Sequence, residues 1–599
     1  MLLDEQQALK EEILTQCNIE LNSNKEMVLQ LNGFYTSSKY NPIKEAQRIA
    51  ESNYKKHYCH IVIGIGTGYI IEEFYNKMCD HEHLVVIELN KEVLDQVVKH
   101  REMNFLYEDA RVSVIDQLNI EEFTELMESY ASSFKNRIQV IVNPNYGNIY
   151  PLNTSKILEV IKRSLLLQVV NKNTMEFFSH DWQKNYTANL YNAFDAIPFS
   201  RLDKSLSCPI VLVSGGPSLN KQIHFLKELQ ERAFILCAGT TINTLLKHGI
   251  EPNAVVTIDG GEVNFQHFEG ININSIPLLY SMKVHHAIPN QHQGIQIVFN
   301  VLGENLVNEL TDRIVNRDIG SVFPGFSVAN SALDVAFQLT SGPIALIGQD
   351  LAYTNNQSHA EGNKNQRVID EKYIKERRMF EVEGYYGDMV LTDSPLNGMN
   401  RSFVHYLNYI KPENRINRIF NCTEGGAMIR GMENMPFERF IDKYCELNVP
   451  FEELNKLKTL KQERNKEEWM QFYKILEAEN SKNDKLIEIT MKAKEVIAKM
   501  HENELRWTTD IISKLEHIDR ELKETLETEF LYFLYQPIIY AINNSYLEED
   551  NETQNQIEKR IYLKSKALYE GLYTCSLYAK EWLDLLLSKI SFKIKGESD

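Results

Sequence analysis

PIVLVSGGPSLNK, residues 209–221, runs a short apolar segment into the turn Ser214-Gly215-Gly216-Pro217-Ser218. An apolar run that ends in glycines and hydroxyls and then turns helical predicts the strand-to-helix half of a βαβ unit. HIVIGIGTGYIIEEF, residues 60–74, has the same form, with Gly64, Gly66 and Gly68 closing its apolar run. Around the first stretch, AFILCAG (233–239), AVVTIDG (254–260), IPLLYS (276–281), IQIVFN (295–300) and IALIGQD (344–350) alternate with helical segments. Around the second lie LVVIEL (84–89), RVSVI (111–115) and IQVIVNP (138–144). Short Val/Ile runs separated by helical periodicity predict parallel sheets with crossover helices. Residues 151 to 198 have helical periodicity and connect the two regions, with Pro198 at the boundary. Beyond residue 431 glycine almost vanishes, and segments such as KEEWMQFYKILEAE and WTTDIISKLEHIDRELKETLETEF space their apolar residues for helices. The fold class is therefore α/β: two Rossmann-like parallel-sheet domains, 1–198 and 199–430, followed by an all-helical domain, 431–599.

Composition narrows the partners. The 599 residues are 43% hydrophobic, enough to bury several cores. Lys and Arg number 64 against 83 Asp and Glu, a net charge of −19, which argues against a nucleic-acid backbone as partner. The eight cysteines (17, 59, 79, 208, 237, 422, 445 and 575) contain no Cys-x-x-Cys pair, and those at 59, 208 and 237 sit beside or within strand-like runs, so a reducing cytoplasm is expected. The opening MLLDEQQALKEEILTQ is acidic and amphipathic, unlike a secretory signal. FLYFLYQPIIYAI, 530–542, is too short to span a bilayer and predicts a buried helix kinked at Pro537, so no membrane insertion is expected.

Two glycine turns carry the candidate chemistry. Gly64-x-Gly66-x-Gly68, with Glu88 ending the next strand, has the layout of a nucleotide or S-adenosylmethionine site, and Asn143-Pro144-Asn145-Tyr146 resembles the Asn-Pro-x-Tyr turn of amino-group methyltransferases. Glycines are also what any tight strand-to-helix turn requires, and both readings stay open at this point. The second turn has more company. Amides and the hydroxyls of Ser214 and Ser218 at a helix start, with Pro217 admitted to the first turn, form an anion seat. Gly239-Thr240-Thr241, Asp259-Gly260-Gly261 and Gln349-Asp350 end three further strands, at the edge where open α/β sheets bind ligands.

Taken together, SGGPSL, AGTTINTLLKHGIEPNAVVTIDGG, GFSVANSALDVAFQLTSGPIALIGQDLAYT with SHAEG, and NCTEGGAMIRG resemble the motility-associated factor (Maf) family of bacterial flagellin glycosyltransferases. The resemblance covers roughly residues 200 to 431 and extends more loosely over the N-terminal region. The central domain is also similar to bacterial sialyltransferases, whose Gly-x-Gly-Pro-Ser-Leu turn holds a cytidine monophosphate (CMP) sugar. The resemblance implies transfer of a nonulosonic acid, of the pseudaminic or legionaminic type, from its CMP-activated form to Ser or Thr of flagellin, supporting flagellum assembly and motility. It implies that Ser214, Gly215, Gly216, Pro217 and Ser218 face the donor phosphate or carboxylate, Thr240 and Asn243 the donor, and Ser327 the cytidine side. Gln349, Tyr353, Glu424 and Gly425 complete the donor site, and His359, Asp350 and Asp259 are the catalytic candidates. His359 follows Gln357 near where sialyltransferases carry a phosphate-binding Tyr, so it serves either as base or as leaving-group donor. CMP leaves readily, so the reaction needs no metal or cofactor in principle, and residues 199–430 contain no Asp-x-Asp metal motif.

Plainer roles compete with these. Asp259 and Asp350 would also suit helix caps. His285 and His286 are adjacent and make a poor metal pair. Tyr532, Phe533, Tyr535 and Tyr540 fit a helical core or, less simply, a flagellin-docking face. Two other functions remain in view. The SGGPSL domain is also similar to an archaeal pterin diphosphokinase domain, which would need Mg²⁺ on carboxylates such as Asp259 and Asp350. The third possibility is a non-catalytic flagellin-binding protein.

Overall fold

A computed structural model describes residues 16–461, 464–502, 507–526, 529–549 and 552–596. Residues 1–15, which hold most of the amphipathic opening stretch, lie outside the described residues. The chain forms two compact units: Met1–Phe177 with Ile539–Ala567, and Phe178–Ile538 with Leu568–Asp599. These units cut across the three zones drawn from the sequence, because the helical last third contributes to both.

The first unit is built on a parallel sheet in the order Val112–Ile115, His83–Ile87, Cys59–Ile63, Ile138–Val142. Its central strands are largely apolar, as in a sheet covered on both faces, with His60 and His83 the exceptions, and Ile61, Val62, Ile63, Val85 and Val86 are fully buried. A three-stranded antiparallel sheet, Cys17–Leu21, Met27–Leu31 and Phe34–Tyr35, precedes it and escapes the sequence reading. Its outer strand, Cys17–Leu21, alternates apolar and polar residues, but over only five residues and half exposed, and the sheet's last strand, Phe34–Tyr35, is two residues long, too short for the pattern to stand out.

In the second unit, nine strands form one path: Ser321–Val322, Gln296–Val301, Leu278–Ser281, Ala254–Thr257, Phe234–Ala238, Ile210–Val213, Ile344–Ile347, Ile419–Asn421 and Glu433–Asn434. A tenth, Ile197–Pro198, pairs with Gln296–Val301, and every pairing is parallel. From Ile210–Val213 the chain adds strands outward on one side as far as Ser321–Val322, then returns to lay Ile344–Ile347 on the other side. That reversal is a topological switch point, where the turns leaving two neighbouring strands diverge and open a crevice at their carboxyl ends.

The helical segments are Pro151–Asp195, Lys466–Glu502, Thr509–Leu526, Glu529–Ser545 and Gln554–Lys595. Pro537 lies inside Glu529–Ser545, where Phe533 and Tyr535 are buried, Tyr540 is half-buried and Tyr532 is 40% exposed. The Tyr535 hydroxyl donates to Asn483 Oδ1, and Asn483 Nδ2 donates 2.9 Å to the Ser576 carbonyl, so this aromatic group is core with a satisfied polar end. Among the described residues no helix is long and apolar enough to cross a membrane, and all eight cysteines are free thiols.

Candidate functional site

The switch point puts the turn after Val213 beside the turn after Ile347, and Asp350 ties them together. Its carboxylate, buried to 2% exposure, accepts the Ser218 hydroxyl at 2.6 Å on Oδ2 and the Thr354 hydroxyl at 2.6 Å on Oδ1. The Ser218 amide lies 3.2 Å from both oxygens. Burial pushes the Asp350 carboxyl up, and these hydrogen bonds together with the nearby Lys221 charge pull it back. The Gly216 amide donates 2.8 Å to the Gly348 carbonyl. A Cβ at 216 would stand 2.1 Å from Asp350 Oδ2 and 2.5 Å from that carbonyl oxygen, so only glycine fits. From the other side the NCTEGG segment presses in: the Ala427 amide donates 2.7 Å to the Asp350 carbonyl, and Gly425 lies against Ser218 and Thr354.

This geometry corrects the expectation of a largely open anion seat. The amides of Gly216 and Ser218 are engaged by the protein, and the helix begins only at Leu219, with Pro217 in the turn before it. Within the two turns and the segment against them, three buried polar atoms have no protein partner: Ser214 Oγ, Gln349 Oε1 and Asn363 Nδ2. Asn363 Nδ2 and Thr241 Oγ1 both lie 3.1 Å from where a Gly215 Cβ would be. An unpaired buried polar atom costs about 1–3 kcal/mol, so a polar ligand that reaches these atoms gains what they lack.

The remaining sequence candidates take varied places. Thr240 is half-buried in the short 3₁₀ turn Gly239–Thr241. Asn243 uses its amide on the His267 carbonyl at 2.9 Å. Ser327 caps the helix Val328–Leu339 in a reciprocal box with Asn330, and Val328 packs on Gly239, which brings that helix start to the Thr240 turn. The Tyr353 hydroxyl donates 2.8 Å to Asp393, which also meets Arg377 at 3.3 Å and caps the helix Ser394–Tyr409. Tyr353 is thereby a tether instead of a free hydroxyl over a phosphate. Glu424 Oε2 accepts from Gln222 at 3.2 Å and from the Phe437 amide at 2.9 Å. Asp259 is exposed, with Oδ1 accepting the Gly261 amide at 3.0 Å, a turn-capping contact.

His359 sits half-buried on the segment after Asp350, with Nδ1 3.1 Å from Ser358 Oγ. Burial holds its imidazole below the ordinary histidine value, and the His267 and Arg367 charges add to this, so it is neutral at pH 7. The segment is pinned: the Ala360 amide donates 2.9 Å to the Gly215 carbonyl, and the Glu361 amide donates 2.8 Å to Asn220 Oδ1. No side-chain contact joins His359 to Asp350 among the described residues.

Sequence reasoning missed Thr354, Thr423 and Asn363. Thr354 holds Asp350, and Thr423 Oγ1 accepts the Gln349 amide at 3.2 Å. Asn363 followed the Gly362 that marks a turn, a signal of loop but not of what the loop covers. His285 and His286 are structural, the first 3.2 Å from Glu262 and the second 3.0 Å from Asn185 Oδ1.

The first unit resolves its own glycine turn differently. Glu88, 1% exposed, accepts the Ile65 amide at 2.8 Å, the Asn90 amide at 3.0 Å and the Tyr146 hydroxyl at 2.7 Å. That hydroxyl in turn accepts the Gly66 amide at 3.1 Å, and Asn143 Nδ2 donates 3.1 Å to the Gly64 carbonyl. A Cβ at Gly64 would lie 2.3 Å from the Tyr146 ring. The Asn-Pro-x-Tyr segment thus packs directly on this turn, and here the glycines make room for the protein's own side chains.

A family model described as 6-hydroxymethylpterin diphosphokinase MptE-like matches residues 184–356, less than a third of the chain. The match includes the Ser214–Ser218 turn and Asp350 and stops before His359. Among solved structures, the chain is similar to the Maf glycosyltransferase from Magnetospirillum magneticum AMB-1, with 13% sequence identity, coverage of 100% of both chains and a TM-score of 0.61. The two chains share one fold along their whole length. The resemblance to the Maf family that the motifs carry is thus matched by the arrangement of the entire chain. No curated protein matches this sequence.

Proposed function

We propose that this protein is a glycosyltransferase that moves a nonulosonic acid from a CMP-activated donor to Ser or Thr hydroxyls of flagellin, in the cytoplasm before export. The observation that carries the reading is the switch-point turn Ser214–Ser218, locked from behind by Asp350 and flanked by unpartnered Ser214 Oγ, Gln349 Oε1 and Asn363 Nδ2, in a chain with the full-length fold of a Maf glycosyltransferase. Those atoms offer donors and acceptors to a sugar nucleotide, and the Thr240 turn beside the Ser327 helix start extends the crevice along the sheet edge.

In this reading the neutral His359 imidazole takes the proton of the acceptor hydroxyl as its oxygen bonds to the anomeric carbon. The bond from that carbon to the phosphate oxygen breaks, and its electron pair leaves with CMP. Asp350 acts as a positioning residue, since its oxygens hold Ser218 and Thr354. The reaction needs no metal, because hydroxyl and amide donors suffice for a departing phosphate. Transfer that persists in EDTA is the expected result, and loss in EDTA with restoration by Mn²⁺ counts against it.

The deciding experiment is intact-mass analysis of flagellin coexpressed with this protein and a CMP-nonulosonic acid pathway, together with calorimetry of CMP and of ATP with Mg²⁺. A mass increment on flagellin and selective CMP binding are expected. Selective binding of ATP with Mg²⁺ would support the diphosphokinase reading that the family-model match suggests. Against that alternative, both Asp350 oxygens are engaged by hydroxyls, which leaves the Asp259–Asp350 pair ill suited to share a Mg²⁺.

A further inference from the structure

At the amino ends of two neighbouring strands of the first unit lies a cluster that the proposed reaction does not use. His57 comes just before the strand Cys59–Ile63, and His81 and Glu82 come just before the strand His83–Ile87. One ligand atom from each of the three lies within 4.8 Å of the others. His57 Nδ1 and His81 Nε2 meet directly, with ring centroids 4.7 Å apart. We infer that His57, His81 and Glu82 bind a zinc ion.

The donor set fits that ion. Zinc takes imidazole nitrogen and carboxylate oxygen at about 2.0–2.2 Å, and tetrahedral bonds of that length set neighbouring ligand atoms about 3.3–3.5 Å apart. His81 is exposed, so its side chain has room to rotate and separate the two nitrogens, while Glu82 is buried. Glu82, 2% exposed, is held in place: Oε2 accepts the Tyr54 hydroxyl at 2.7 Å and the Cys79 amide at 3.2 Å, while Oε1 accepts the His57 amide at 2.6 Å and keeps a lone pair.

A second observation concerns the far side of the His57 ring, where Nε2 lies 3.7 Å from Glu548 Oε1. The carboxylate thus stands on the side of the ring away from His81, where outer carboxylates commonly stand beside metal-bound histidines. His57 also sits in the left-handed region, at φ +68°, with its amide fixed by Glu82, so the ring is placed before any ion arrives. The cluster lies at the sheet edge opposite the glycine turn, away from where α/β sheets bind substrates. The ion therefore clamps two strand-entry connections together and stabilises the unit.

The test titrates ZnCl₂ into EDTA-stripped full-length protein by calorimetry and follows the thermal midpoint. Wild type is expected to bind one ion tightly and to gain thermal stability from it. His81→Ala changes an exposed side chain, and His57→Asn keeps a residue that tolerates the left-handed backbone. Both should weaken zinc binding a hundredfold or more and abolish the thermal gain. Glu548→Gln should weaken binding about tenfold, the loss typical of an outer-sphere partner. Co²⁺ should give the absorption spectrum of a tetrahedral site in wild type and lose it in His81→Ala. Absence of zinc binding by wild type overturns the inference, as does a zinc isotherm for His81→Ala that superimposes on the wild-type curve.

Discussion

A methyl group at position 216 has nowhere to go, since Asp350 Oδ2 and the backbone oxygen of Gly348 both stand in its place. A side chain can rotate away, but the Gly348 carbonyl belongs to the sheet edge and accepts the Gly216 amide. Gly216→Ala is therefore expected to lower CMP affinity at least tenfold, as read by calorimetry, with an intact far-ultraviolet spectrum. His359→Ala should reduce transfer to flagellin about a hundredfold or more while leaving the thermal midpoint near wild type. Because burial depresses the His359 pKa, the acidic limb of the wild-type rate profile should fall below pH 6.5 and vanish in the variant. A limb well above that value would point to another base. Tyr353→Phe separates tether from catalyst: loss of its bond to Asp393 should cost about 1.5–3 kcal/mol of stability and change the transfer rate only a few-fold. A large rate loss at unchanged stability would return the hydroxyl to the donor. Sequence alone names such residues but not their partners, which is why Tyr353 and Glu424 read as ligand-facing and prove to be joined to Asp393 and Gln222.

The two glycine turns look alike as elements and differ in what fills them. Both follow apolar strands of parallel sheets, and both lie at a switch point: Cys59–Ile63 against Ile138–Val142, and Ile210–Val213 against Ile344–Ile347. After Ile138–Val142 the chain places Asn143 and Tyr146 back over the first turn. After Ile344–Ile347 it places Asp350 against the second, and Ser214 Oγ, Gln349 Oε1 and Asn363 Nδ2 keep no protein partner. Strand, turn and helix were legible from the spacing of apolar residues and glycines. Which turn stays open was not, because that depends on side chains nearly eighty residues or more away in sequence. Tyr146→Phe tests the filled turn. It strips the Gly66 amide and Glu88 of one partner each, so the first unit should lose about 1–3 kcal/mol by chemical denaturation, while CMP binding at the second unit is unchanged. Coupled loss of CMP binding would show that the first turn serves the reaction.

At the level of the whole chain, the α/β class and the late helical region follow from hydrophobic period, which is a local property. The assignment of Ile539–Ala567 to the first unit is not local: helical periodicity says that a face is buried, and only the fold says against what. The same limit governs histidines, whose types are visible in sequence and whose burial is not. His292 donates from Nε2 to the Ile295 carbonyl at 3.3 Å and leaves Nδ1 buried without a partner, so protonation would place a charge where nothing receives it. Burial lowers its pKa to about 4, and His286 is likewise lowered to about 4 by burial, with His285 and Lys184 adding to the effect. Between the unfolded value of about 6.5 and the folded value the unfolded chain binds more protons, so stability falls as the solution is acidified through that window and is unaffected above it. Each such histidine adds a slope of up to about 1.4 kcal/mol per pH unit. Urea unfolding of wild type and His292→Gln between about pH 7 and about pH 5 should therefore show wild type losing stability faster, with the gap between the two curves changing by most of one proton's slope. Parallel curves would mean that His292 takes up its proton in the folded state as readily as in the unfolded chain.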